Sequence, residues 1–241
     1  MLEDKYNMTR EQNVFLAKRN IVDSIWKSSH IEGINVTFPE TQRIYDGGNV
    51  ARLRIDEIQT INNLKHAWIF ILNSLNNKND LNLLKSINAL VGSNLIDSPG
   101  KMRTYDVGIG GTKWKPEIPN EEKLKNELEN IKNSSTSVTD MSITMMCHLM
   151  RTQFFSDGNK RTSMLFANKI MIENGKGIIS VPVDEDIKFN ELLTDFYETN
   201  NMEKLKKFIY DDCLSGINIY KEKDINKNND NEESEEDEND L

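Results

Sequence analysis

Two apolar runs at helical spacing, over residues 138–154 and 159–174, meet at a turn through Asp157-Gly158-Asn159. That leaves the chain little choice there but helix, tight turn, helix. The same spacing runs through most of the sequence. Val14, Ile21, Ile25 and Trp26 predict a helix over 9–31 that stops before Gly33. Thr37 and Glu40 have the spacing of a capping box, with Pro39 tolerated in the first turn of a short helix that ends near Gly47-Gly48. Further helices are expected over 51–75, 81–91, 120–133, 185–198 and 202–215. Residues 102–116 break the pattern. Tyr105, Val107, Ile109 and Trp114 surround Gly108-Ile109-Gly110-Gly111, which predicts a small β-hairpin or extended flap. The expected fold class is all-α with one small β element.

A chain of 241 residues is long enough for one large domain with a substantial core. Its net charge of −9 is unevenly placed, because Lys221–Leu241 holds ten Asp and Glu against three Lys, leaving the body close to neutral. An acidic, Asn-rich stretch without aromatics cannot bury enough apolar surface to fold, so 221–241 reads as a disordered tail. The body lacks the basic stripe that broad nucleic-acid binding needs. Cys147 and Cys213 lie far apart in apolar helical patterns and read as buried thiols of a reducing compartment. No apolar run is long enough to span a membrane, and the charged start MLEDKYNMTR is no secretory signal, so a cytoplasmic location is expected.

The turn at 157–159 has chemistry of its own. A helix N-terminus offers unpaired backbone N–H groups and the positive end of a dipole, and glycine lets an anion approach the backbone. Gly158 and Asn159, followed by Lys160 and Arg161, would make an anion nest. Asp157 is a candidate Mg²⁺ ligand, Asn159 can donate an amide to a phosphate, and Arg161 can fork onto a terminal phosphate. A capped turn with surface charges accounts for the same residues. The glycines of GIGGTK, 108–113, fit neither a P-loop nor GxGxxG.

The stretch QFFSDGNKR, Gln153 to Arg161, resembles the signature of the Fic (Fic/Doc) family, HPFx[DE]GN[GK]R. It agrees at every defined position from Phe155 onward. Phe154 stands in the proline slot and Gln153 in the histidine slot. SSHIEG, 28–33, is similar to the family's inhibitory pattern [ST]xxxE[GN] through Ser28, Glu32 and Gly33, and 103–117 resembles its target-docking hairpin.

The resemblance implies a Fic core over 51–220, preceded by an inhibitory helix and connector over 1–50 that pack on it. It implies transfer of AMP from ATP to a protein hydroxyl. Asp157 would hold Mg²⁺, while Gly158, Asn159, Lys160 and Arg161 would hold the phosphates. Glu32 would pair with Arg161 and displace the terminal phosphate. The flap residues Val107, Gly108, Ile109, Gly110 and Gly111 would dock an unidentified protein target. Family members are often oligomers, so a homo-oligomer is admitted.

Gln153 is the departure. The family's histidine takes the proton from the attacking hydroxyl, and an amide has no useful pKa for that; the lost contribution is roughly 10²–10⁴-fold. His148 cannot replace it, being about 140° round the helix. His30, beside Glu32, reads as a packing or surface residue, and His66 has no evident partner. Two readings remain: an autoinhibited transferase with weak or altered chemistry, or a Fic-fold regulator that binds nucleotide or protein without catalysis.

Overall fold

The computed structural model describes residues 2–217, so the acidic tail at 221–241 lies outside the described residues. Ten α-helices fill most of the described chain: α1 (Arg10–Arg19), α2 (Ile21–Ile31), α3 (Phe38–Tyr45), α4 (Ile55–Asn73), α5 (Leu81–Val91), α6 (Glu121–Ser134), α7 (Val138–Thr152), α8 (Asn159–Glu173), α9 (Asp186–Thr199) and α10 (Glu203–Asp212). The all-α fold class holds.

The helix α8 is the axis. It is buried continuously from Arg161 to Ile172, as expected of a helix with neighbours on every side. One apolar cluster joins it to α1–α5 through Ile25, Ile61, Leu64, Ile87, Leu165 and Phe166. A second joins its other face to α7, α9 and α10 through Met146, Met164, Phe189, Phe196 and Ile209. Two of its buried polar residues are satisfied in place. Asn168 exchanges hydrogen bonds with the backbone of Ile179 at 2.8 and 2.9 Å. The buried Lys169 ammonium donates to Asn77 O, Asn79 Oδ1 and Glu173 Oε2 at 2.5–2.7 Å.

Three details differ from the sequence reading. The single helix expected over 9–31 is two, because Asn20 leaves helical geometry (φ −100°, ψ 10°) and its side chain donates to Leu16 O at 2.9 Å. Asparagine competes with the helix ladder in this way through its short amide. The last helix ends at Asp212 rather than 215, because Leu214–Ser215 (β2) pairs antiparallel with Ile178–Ile179 (β1). That pair is the small β element of the fold. The flap segment itself is extended without a strand ladder, and its β contact is the bridge Met102–Phe155 to the turn before α8. The Thr37 capping box is as expected, with Thr37 Oγ1 and the Glu40 carboxylate each accepting from the other's backbone N–H.

Candidate functional site

Gly158 caps α8 at φ +75°. A residue with a Cβ pays roughly 1–2 kcal/mol in this left-handed region, and here the Cβ would also stand 3.0 Å from Val91 Cγ1. Two independent constraints therefore require glycine. The backbone N–H groups of Asn159, Lys160 and Arg161 have no acceptor among the described residues, as the first turn of a helix dictates. Asn88 of α5 holds the turn from behind. Its amide is fully buried, donates to Asp157 O (3.0 Å) and Thr162 Oγ1 (3.1 Å), and accepts from Gly100 N (2.8 Å).

The loop opens on a cavity of about 290 Å³. Glu32 enters from α2, Val107 to Gly110 from the flap, and Asn190, Leu193, Thr194 and Tyr197 from α9. The three sequence features, far apart in the chain, thus meet at one place. Gly33 (φ +76°) ends α2 with its N–H on His30 O at 2.8 Å, leaving Glu32 at the helix terminus, and Ser28 is buried one turn earlier. Glu32 Oε2 lies 3.1 Å from Arg161 Nε, and its Oε1 lies 3.5 Å from Lys160 Nζ. Neither Arg161 Nε nor Glu32 Oε1 has a hydrogen-bond partner, although both are buried. The contact is an ion pair off the N–H axis, and so leaves hydrogen-bonding capacity unused on both sides. Lys160 Nζ also donates to Ile31 O at 3.1 Å, tying the end of α2 to the start of α8.

Asp157 is the most exposed of the charged group, with 61% of its side chain open. Its Oδ1 accepts from Gly158 N at 2.6 Å, and its Oδ2 lies 3.6 Å from Arg161 Nη2. Among the described residues no cluster of three metal-ligating side chains exists. One exposed carboxylate beside an anion nest suits Mg²⁺ that arrives with phosphate oxygens and waters, which is how that ion is usually bound.

Gln153 and Asn159 are committed to the loop. Gln153 ends α7 in the left-handed region (φ 47°, ψ 54°). Its Nε2 donates to Met150 O at 2.7 Å and reaches Tyr197 Oη at 3.4 Å, while its Oε1 accepts from Asn159 Nδ2 at 3.0 Å. Asn159 further exchanges hydrogen bonds with Phe155 N and O, both at 2.9 Å. Its side chain shapes the turn, and its backbone N–H is the group left for an anion. Burial pushes the Tyr197 phenol well above its usual range, so Tyr197 stays neutral and offers no base. His148 pairs with Glu127 at 3.1 Å, His30 Nε2 contacts Val36 O at 2.8 Å, and His66 is exposed on α4.

Sequence reading missed Asn88, Arg103 and Tyr197. Arg103 is buried and donates to the carbonyls of Gln153 (2.6 Å), Tyr105 (2.8 Å) and Glu117, fastening both arms of the flap to the loop. Asn88 had a signal, being a polar residue on the apolar stripe of Leu84, Ile87 and Val91. Arg103 had none.

The helical fold is of the Fic type, as the solved structures it resembles show. Residues 78–171 match the model of the Fic/DOC family. The chain is similar in structure to a Fic family protein from Desulfovibrio desulfuricans G20 (TM-score 0.67, 20% identity, covering 83% of this chain and 64% of that one). It is similar to Fic-1 from C. elegans (0.67, 18%, 80% and 60%). It also resembles a Fic domain containing signaling protein from Bacteroides thetaiotaomicron VPI-5482 (0.67, 14%, 84% and 85%). The chain thus spans less than two thirds of the first two. No curated protein matches it. No described helix is long and apolar enough to cross a membrane.

Proposed function

We propose that the chain is an autoinhibited Fic-type nucleotidyltransferase that takes AMP from ATP to a protein hydroxyl, with chemistry weakened by Gln153. The observation that carries this reading is Glu32 Oε2 seated 3.1 Å from Arg161 Nε at the rim of the anion nest. The Nε edge of a guanidinium cannot hold a carboxylate and a terminal phosphate at once. Glu32 therefore competes with productive seating of ATP, and its removal frees Arg161. The free N–H groups at the start of α8 and Lys160 suit the remaining phosphates. Asp157 would hold Mg²⁺, which supplies neutralisation of phosphate charge when bound. The flap, fixed at its base by Arg103, would place the target hydroxyl.

The test is the intact mass of Glu32→Gly after incubation with ATP and Mg²⁺. A gain of one AMP supports transfer without a histidine. An unchanged mass in Glu32→Gly and also in Glu32→Gly with Gln153→His, both folded, would overturn the transferase reading.

A second reading, a Fic-fold regulator that binds nucleotide or protein by occupancy, is favoured by one observation. Both ends of the Gln153 amide are engaged within the protein, so that side chain has no proton-accepting role. Nucleotide binding by Glu32→Gly with no covalent product until Gln153→His is introduced would select it.

A further inference from the structure

A larger cavity, of about 480 Å³, lies on the far side of the Trp114–Tyr197 stack, walled by the outgoing arm of the flap, α6 and α7. Tyr197 lines the first cavity from one side, and its ring stacks on Trp114 at 5.4 Å with an 18° interplanar angle. Trp114 in turn faces this second space.

Arg151 is the cation of interest there. Its guanidinium lies over the Trp114 ring at 4.3 Å, and its Nε and Nη2 donate to Tyr197 O at 3.3 and 3.0 Å. The fork is held rigid, yet no carboxylate lies within ion-pair distance of it among the described residues, and Nη1 makes no protein hydrogen bond there. The acids of the cavity are already engaged: Glu117 with Lys123 at 3.0 Å and Glu127 with His148 at 3.1 Å. Lys115, exposed at the rim, is also without an ionic partner among the described residues. Three permanent cations thus stand against two carboxylates, with Trp114, Pro116 and Leu124 as the apolar part of the wall.

We propose that this cavity is a second binding site, taking a short acidic peptide segment of a partner protein through a carboxylate held by Arg151 and Lys115. A preorganised guanidinium with an open edge suits a carboxylate better than a mobile surface lysine does. The mixed apolar and cationic wall suits a side chain rather than a free ion. Because Trp114 lines this site and stacks on Tyr197, which lines the first cavity, it would select which protein the flap admits. Binding here does not depend on nucleotide transfer, so the two readings stand or fall separately.

The test titrates the full chain with acetyl-Glu-Leu-Glu-amide and follows the Trp114 indole N–H in a proton–nitrogen correlation spectrum, with the signal identified by its loss in Trp114→Phe. The expected result is a saturable shift with a Kd on the order of 1 mM, absent with acetyl-Gln-Leu-Gln-amide. Arg151→Lys, which keeps the charge and loses the fork, should weaken binding about tenfold, and Lys115→Gln, at an exposed position that cannot unfold the chain, about threefold. No saturable shift would overturn the proposal, as would an affinity unchanged in both variants. Equal affinity for inorganic phosphate would also overturn it, by making this a simple anion site.

Discussion

Gln153 Oε1 accepts a hydrogen bond from Asn159 Nδ2 at 3.0 Å. The residue in the histidine slot is therefore part of the loop's internal bracing, and its lone pair faces another amide. An imidazole placed there would have a nitrogen that can take a proton. In a Glu32→Gly background, Gln153→His should raise AMP transfer about 10²–10⁴-fold, read as the rate of mass gain with ATP and Mg²⁺. A rate within threefold of the glutamine form would show that proton removal does not limit the reaction.

Glu32 and nucleotide should compete for Arg161 in a way calorimetry can resolve. Glu32→Gly is expected to bind ATP with Mg²⁺ about tenfold or more tightly than the unaltered chain, since a charge-assisted contact no longer has to be displaced. Arg161→Ala in the same background should erase that gain. If both variants bind alike, Arg161 does not hold phosphate.

Asn88 is expected to be a stability residue and a loop residue together. Asn88→Ala leaves Asp157 O, Thr162 Oγ1 and Gly100 N without their partner, for a loss of about 2–4 kcal/mol. Urea unfolding would measure it, and a loss under about 1 kcal/mol would mean the turn is braced elsewhere.

Gly158→Ala combines a disfavoured backbone region with a 3.0 Å approach to Val91 Cγ1. It should cost about 2 kcal/mol or more. In the Glu32→Gly background it should also lower ATP affinity, because the N–H groups that follow would shift. Unchanged affinity would argue that phosphates do not use the turn.

Burial pushes both thiols, Cys147 and Cys213, up to about 12. Unfolded thiols titrate near 8.5. Above that pH the unfolded chain releases protons that the folded one keeps. The stability these thiols contribute is whole below about pH 8.5 and falls as pH climbs towards 12. Replacing both with alanine should flatten the alkaline side of the stability profile, and in the native chain neither should react with a thiol reagent at pH 8 until urea is added.

Local chemistry made much of this architecture legible. The capping box at Thr37, the glycine stop after α2 and the turn at Gly158 are short-range devices, and each sits where its residues predict. The break at Asn20 was hidden because the apolar spacing continues across it. The flap's glycines look like a hairpin, yet Met102 pairs with Phe155 across the fold, a partnership no local pattern reveals. The site was legible as a set of residues and illegible as a network. That Gln153 would brace Asn159, and Arg103 would tie flap to loop, depends on side chains fifty or fewer residues apart meeting only after α7 and α8 have packed.

The helix that delivers Glu32 also supplies Ile21, Val22 and Ile25 to the larger apolar cluster, and Ile31 to the other. Deleting it would expose the core, whereas replacing one carboxylate leaves the packing whole. Under the proposed function, such a brake would not be shed as a cassette over evolutionary time. It would be silenced by a point mutation and restored by another, so the strength of inhibition would be free to drift among descendants that all keep the same scaffold.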